Sequence, residues 1–119
     1  MKSYADLAQS KKLAEILPLK SADMKILPFT EREYRIVPIN DIAVCGREDE
    51  IYAWSLAALL NVLPDELGDN HFLTLSKEGA EYCCCYEDIN GNSFRHEFGD
   101  NPVDACYEMI IKLHEQKLL

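Results

Sequence analysis

Alternating apolar and polar residues predict three consecutive β-strands in the second half of the chain. The strand-like runs are His71 to Lys77, Ala80 to Asp88 and Ser93 to Phe98. Glu78-Gly79 and Ile89-Asn90-Gly91 separate these runs, and glycine and asparagine favour tight turns between antiparallel strands. We therefore expect a three-stranded antiparallel meander.

Apolar residues at helical spacing predict a first helix near the N-terminus. Ser3 followed by Asp6 resembles a capping box, in which two side chains bond the free N–H groups of the first helical turn. Proline cannot continue a helix, so Pro18 ends this one near Leu17.

A central helix is predicted after Trp54. Ser55 is a good N-cap, Trp54 before it can pack on Leu59, and Pro64 stops the helix. The segment is apolar nearly all round, so we expect it to be buried.

The last predicted helix begins at Asn101-Pro102-Val103-Asp104. Asn101 caps it, Pro102 occupies its first turn, and Asp104 complements the positive end of the helix dipole. Its apolar stripe consists of Val103, Cys106, Ile110 and Leu113.

The prolines of residues 18–50 make that segment harder to interpret. Only Tyr34 to Val37 resembles a strand, and Pro38 would confine it to a sheet edge. The chain as a whole, residues 1–119, is predicted to be a single α+β domain. Its meander packs against the N-terminal, central and C-terminal helices, and Tyr34 to Val37 can extend an edge.

The second hairpin's register decides which face each residue of Cys83-Cys84-Cys85 occupies. A two-residue Asn90-Gly91 turn separates the phenylalanines of the third strand from the leucines of the first. A three-residue loop with left-handed Gly91 places the apolar residues on one face, and we prefer it for that reason. It opposes Tyr86 to Phe94, Cys84 to His96, and Tyr82 to Phe98. The other face then carries Thr74, Ser76, Glu81, Cys83, Cys85, Glu87, Arg95 and Glu97.

The three adjacent cysteines do not predict a metal or redox site. Zinc needs about four converging ligands, whereas Cys83 and Cys85 supply two and His96 is predicted on the opposite face. Cys45 and Cys106 show no telling spacing. We expect no metal and no cofactor, with Cys84 filling the core and His96 a hydrogen-bonded core residue.

Net charge is −9 and is concentrated in the middle of the chain. Residues 48–100 hold twelve acids against Lys77 and Arg95. Nucleic-acid binding depends on lysine and arginine, so we expect no direct contact with DNA or RNA. The longest apolar run of note is five residues, Leu56 to Leu60, which is far too short for a membrane span. The N-terminus lacks the apolar core of a secretion signal, so we expect a cytoplasmic protein.

Three segments resemble a known group of proteins: QSKKLAEILPLKSADM (9–24), WSLAALLNVLP (54–64) and DNPVDACYEMIIKLHEQKLL (100–119). The group consists of small uncharacterised proteins encoded by prophages and other mobile elements of gut Bacteroidetes. The resemblance covers both ends and the central helix. It implies a bacterial cytoplasm and an accessory role, and it implies no reaction.

These observations favour a non-catalytic, acidic protein-interaction factor of a mobile element. The carboxylates of its expected partner surface are Glu81, Glu87, Asp88 and Glu97. One alternative is a DNA mimic whose acids form a contiguous stripe and inhibit a nucleic-acid-binding protein. Another is a small metal- or thiol-dependent enzyme using Cys83, Cys85 and His96. Homodimerisation through a sheet edge is also left open.

Overall fold

The computed structural model describes residues 1–28, 33–40, 50–68 and 70–119. Within these ranges the chain forms three α-helices, a short 3-10 turn at Leu19–Ser21, and two antiparallel sheets. In chain order the elements are α1 (Leu7–Ile16), β1 (Met24–Pro28), β2 (Tyr34–Pro38), β3 (Ile51–Ala53), α2 (Leu56–Val62), β4 (Glu66–Leu67), β5 (His71–Glu78), β6 (Glu81–Glu87), β7 (Ser93–Gly99) and α3 (Pro102–Glu115). The fold is α+β, as the sequence predicts.

The large sheet has the strand order β4-β5-β6-β7 and contains the predicted meander. Its extra edge strand is β4, which pairs with β5, and the sequence does not predict it. Gly79 and Gly91 have φ angles of +63° and +80°, the left-handed conformation that hairpin turns require and that glycine adopts without strain.

The small sheet has the order β2-β1-β3, so the predicted Tyr34–Val37 strand lies at an edge of this sheet and not of the meander. Strands β1 and β3 were not predicted, because each is short and β1 ends in Pro28. Ile26 in its central strand is buried, and β3 packs against α1.

Helix α1 begins one turn later than the predicted Ser3 cap. Asp6 is the N-cap: its carboxylate accepts from the Gln9 backbone N–H, and the Gln9 side chain accepts from the Asp6 N–H. The capping-box chemistry is therefore present, but Asp6 and Gln9 carry it. Tyr4 instead forms a bridge with Ser55.

Helix α2 has the predicted cap, since the Ser55 hydroxyl accepts from the Ala58 N–H at 3.2 Å. Both the backbone N–H and the hydroxyl of Ser55 also donate to the carboxylate of Asp23, which fixes the start of α2 beside β1. The expectation of burial all round is wrong, because Ala57 and Asn61 are exposed.

Helix α3 has the predicted Asn101 cap and buried apolar stripe, and it packs on β6 and β7. Gly99 permits this close approach, since a Cβ there would lie 2.6 Å from the Ala105 backbone nitrogen. The main core lies between α3 and one face of the large sheet. The sheet residues that contribute to it are Leu67, Leu73, Leu75, Tyr82, Cys84, Tyr86 and Phe94. We call this face the covered face.

Candidate protein-binding face

The opposite side of the large sheet, which we call the open face, contributes no residue to either core cluster of the described chain. Side chains alternate along a strand and directly opposed residues point the same way, so the register defines the members of this face. They are Glu66, Phe72, Thr74, Ser76, Glu78, Glu81, Cys83, Cys85, Glu87, Ser93 and Phe98. His96 joins them beside Phe98, for reasons given below.

The predicted register is correct at one end of the β6–β7 hairpin and wrong at the other. Tyr86 opposes Phe94 as expected. A bulge then shifts the register by one residue, so Cys84 opposes Glu97 and not His96. Tyr82 likewise opposes Gly99 and not Phe98. The shift moves Phe98 from the covered face to the open face and moves Glu97 the other way.

Arg95 is the residue whose backbone produces this bulge. Its φ of 57° lies in the left-handed region, which non-glycine residues adopt rarely and at an energetic cost. The guanidinium carbon lies 5.2 Å from the centre of the Phe94 ring, so the arginine does not lie over the open face as the sequence predicted. That placement also removes the one cation that the sequence offered to the Cys83 and Cys85 thiols.

Cys83 and Cys85 occupy the middle of the open face, as the predicted alternation requires. Each is nearly inaccessible, with 1% and 2% of its surface exposed. Thr74 and Ser76 oppose them across β5, and Phe98 opposes Cys83 across β7. They are therefore small side chains sheltered by neighbours on the same face, and not members of the packed core.

The electrostatic surroundings of these thiols disfavour the reactive thiolate. Burial raises the pKa of Cys83, and the nearby Glu78, Glu87 and Glu97 raise it further. Burial and the Cys83 sulfur raise the pKa of Cys85 to about 12, with a contribution from Glu87, whose carboxylate accepts from the Cys85 thiol at 3.7 Å. A nucleophilic cysteine needs the opposite shift.

Cys84 lies on the covered face and is fully buried with Cys106 of α3. The two thiols share a hydrogen bond, and that bond together with burial raises the pKa of Cys84. The prediction that Cys84 fills the core is confirmed.

His96 is exposed, so its predicted role as a core histidine is wrong. Its ring stacks on Phe98 with centroids 6.3 Å apart, and its Nε2 shares a 2.5 Å hydrogen bond with the Ser93 hydroxyl. Both neighbours belong to the open face, which places His96 there with Cys83 and Cys85. Even so, no group of three or more metal-ligating side chains is assembled in the part of the chain that the structure describes. Cys45 lies outside the described residues.

The four carboxylates predicted to form a partner surface divide into three environments. Glu81 and Glu87 lie on the open face at opposite ends of β6. Asp88 is held in the hairpin loop, where its carboxylate accepts from the Asn90 and Asn92 backbones at 2.9 Å. Glu97 lies on the covered face beside α3. Burial raises the pKa of Glu97, with Lys112 lowering it and Glu108 and Glu115 raising it.

Two phenylalanines on the open face were not predicted to be there. Phe72 and Phe98 keep 48% and 46% of their surface exposed, which is unusual for so large an apolar side chain. The register places Phe72 at one corner, beside Glu87, and Phe98 at the diagonally opposite corner, beside Cys83. Only the bulge at Arg95 puts Phe98 on this face, and the bulge has no signal in the sequence.

The charges of the open face lie at its two ends. Glu66 and Glu87 flank Phe72 at one end, and Glu78 opposes Glu81 at the other. Six residues along β5 separate the ends, which corresponds to about 20 Å. No lysine or arginine occupies a described strand position that is directly paired on this face.

None of the described helices is both long enough and apolar enough to cross a membrane. Comparison with protein-family models, with curated proteins and with solved structures gives no match to this chain. The arrangement of the open face is therefore the basis for assigning a function.

Proposed function

We propose that this protein is a non-catalytic interaction factor that binds a basic protein partner on its open face. The role follows the sequence-based expectation of an accessory factor of a mobile element, acting in a bacterial cytoplasm. The structure changes the surface: Glu81 and Glu87 remain in it, Asp88 and Glu97 leave it, and Phe72 and Phe98 enter.

The observation that carries the proposal is the pair of exposed phenylalanines, Phe72 and Phe98, on a sheet face with an acidic border. Protein interfaces typically combine large apolar or aromatic anchors at the centre with a polar rim. Thr74 and Ser76 between the phenylalanines are small and leave the middle of the face shallow. A partner can therefore place apolar side chains between the two rings.

Charge selects the kind of partner. The face carries Glu66, Glu78, Glu81 and Glu87 and no directly paired lysine or arginine. A second copy of this chain would bring like charges together, which is unfavourable, whereas a partner with lysine or arginine at its edges would be attracted. This supports a basic partner over a homodimer formed through the same face.

The same positions favour protein binding over DNA mimicry. A mimic of a phosphate backbone needs carboxylates in a continuous series, because phosphates follow one another along each strand of DNA. On the open face the carboxylates form two groups about 20 Å apart, with apolar and small residues between them.

The thiol-dependent alternative is weaker. The pKa values of Cys83 and Cys85 are raised, the latter to about 12, and His96 bonds Ser93. These shifts support a structural role for the three side chains that this alternative requires.

The test compares two lysine substitutions. Thr74→Lys introduces bulk and positive charge in the middle of the open face, and Ala57→Lys makes a comparable change on the exposed side of α2. Tagged wild type and both variants are used to capture partners from cells of the organism that encodes the protein, with quantitative mass spectrometry. We expect one basic protein that is captured by wild type and Ala57→Lys and lost with Thr74→Lys.

Retention of every captured protein by Thr74→Lys contradicts the proposal, as does failure of wild type to capture any protein reproducibly. Circular dichroism of both variants, recorded first, ensures that loss of binding is not loss of folding.

A further inference from the structure

We infer that the partner contributes an amphipathic α-helix of about four turns, with an apolar stripe and lysine or arginine at both ends. This inference rests on the proposed function, because it specifies what binds to the same open face. It makes the large sheet the middle layer of a helix–sheet–helix sandwich that is completed only in the complex.

The covered face shows the dimensions of the missing layer. Helix α3 packs there, and its 14 residues correspond to a length of about 21 Å. The open face of the same sheet spans about 20 Å between Phe72 and Glu78. Sheets that carry helices on both faces are a common way to bury two-sided strands. A helix of α3's length therefore fits the open face from end to end.

The relief of the open face favours a helix lying across its middle. Phe72 and Phe98 stand at diagonally opposite corners, and the residues between them are small: Thr74, Ser76, Cys83 and Cys85. This leaves a shallow trough between the two rings. A single row of apolar side chains at helical spacing can fill such a trough while both rings pack against its sides.

The free edge of the sheet is unsuited to the main alternative, a partner strand that extends the sheet. Strand β7 is the edge beside the trough, and the bulge at Arg95 interrupts its regular pairing geometry. Natural sheets use such bulges to prevent edge-to-edge pairing. Binding through the face is therefore favoured over binding through this edge.

The two carboxylate groups determine where the partner's charges lie. Glu66 with Glu87, and Glu78 with Glu81, border the two ends of the trough. A helix that follows the trough presents its first turn to one pair and its last turn to the other. Lysine or arginine in both turns would therefore meet a carboxylate pair.

Two display libraries of equal length test this inference. One presents sixteen-residue helices on a stable helical scaffold with one face randomised, and the other presents sixteen-residue extended strands. Both are selected against the folded wild-type protein, with counter-selection against Thr74→Lys. Binding sites are mapped by amide chemical-shift changes in NMR spectra.

We expect binders from the helical library with apolar stripes and enriched lysine or arginine in the first and last turns. They should shift the amides of Thr74, Ser76, Cys83 and Cys85, and they should bind Thr74→Lys at least about tenfold more weakly than Ala57→Lys. Replacing Glu66, Glu78, Glu81 and Glu87 together by glutamine should weaken binding by at least about tenfold.

A matched control replaces three exposed acids away from the open face, Glu15, Glu108 and Glu115, by glutamine. This variant should bind within about threefold of wild type. Binders only from the strand library, helical binders without basic ends, helical binders that map elsewhere, or no binders at all would each overturn the inference.

The two proposals fail separately. If a cellular partner is lost with Thr74→Lys but binds through a strand, the proposed function stands and the helix inference fails. If helical peptides bind as expected but no cellular partner depends on Thr74, the recognition preference stands and the proposed function fails.

Discussion

On the covered face of the large sheet, Cys84 contacts Cys106 of α3, whereas on the open face Cys83 and Cys85 contact each other beside serine and threonine. All three cysteines are almost completely inaccessible. Only Cys84 belongs to the packed core. Low exposure alone therefore does not identify a core residue, because a small side chain on a sheet face can be sheltered by its neighbours.

The aromatic residues show the same contrast. Tyr86 on the covered face is fully buried and donates from its hydroxyl to the Pro64 carbonyl at 2.8 Å. Phe98 on the open face is about half exposed. One face supports the fold, and the other carries apolar surface that the fold leaves in solvent. The predictions below compare matched substitutions on the two faces.

The largest difference is expected between Tyr86→Ala and Phe98→Ala. Tyr86→Ala leaves a large cavity and an unpaired Pro64 carbonyl, so it should lower the free energy of unfolding by about 3–5 kcal/mol. Phe98→Ala should lower it by less than about 1 kcal/mol, since only cross-strand contacts are lost. Urea denaturation followed by circular dichroism measures both. Equal losses would mean that the open face is part of the core.

A smaller difference is expected between serine substitutions of adjacent cysteines. Cys84→Ser places a hydroxyl in the core opposite Cys106 and should cost about 1–3 kcal/mol in unfolding free energy. Cys83→Ser has Ser76 as its cross-strand neighbour and should cost less than about 0.5 kcal/mol. The same denaturation experiment checks this pair, and a larger loss for Cys83→Ser would reverse our assignment of the two faces.

The smallest expected effect concerns Glu97, the carboxylate that the bulge moves to the covered face. Its pKa in the folded state is raised by burial from the usual value of 4.5. The folded state thus binds its proton more tightly than the unfolded state, and stability falls as the pH rises through the folded-state pKa. At pH 7 the whole penalty is present. Glu97→Gln removes it and should stabilise the protein there by at most about 0.5 kcal/mol, because Glu97 is partly exposed.

That gain should disappear near pH 4, where wild-type Glu97 is protonated in both states. Glu81→Gln on the open face is the matched control and should change stability by less than about 0.5 kcal/mol at either pH. Thermal melts at the two pH values provide the comparison. A gain for Glu97→Gln that is as large at pH 4 as at pH 7 would show that charge is not its cause.

The meander, the central and C-terminal helices and their caps could be predicted because local residues determine them. Gly79, Gly91, Ser55 and Asn101 each satisfy a specific backbone requirement within a few residues of their own position. The exchange of Ser3 for Asp6 as the first cap is an error of the same local kind, since both residues have capping side chains.

The small sheet and the composition of the open face could not be predicted in this way. Strands β1 and β3 are five and three residues long and are held by pairing between distant parts of the chain. The bulge depends on Arg95 adopting a left-handed conformation that its residue type disfavours, so tertiary packing must determine it. One shifted residue was enough to move Phe98, His96 and Glu97 from their predicted positions.

The most direct test of the two-face account is the unfolding free energy of Thr74→Lys, measured by urea denaturation beside wild type. Thr74 lies in the middle of the open face, opposite Cys85. If that face is free for a partner, the lysine side chain can extend into solvent, and we predict a change of less than about 1 kcal/mol. A loss of more than about 3 kcal/mol would show that the protein's own core covers this position, and would contradict the account.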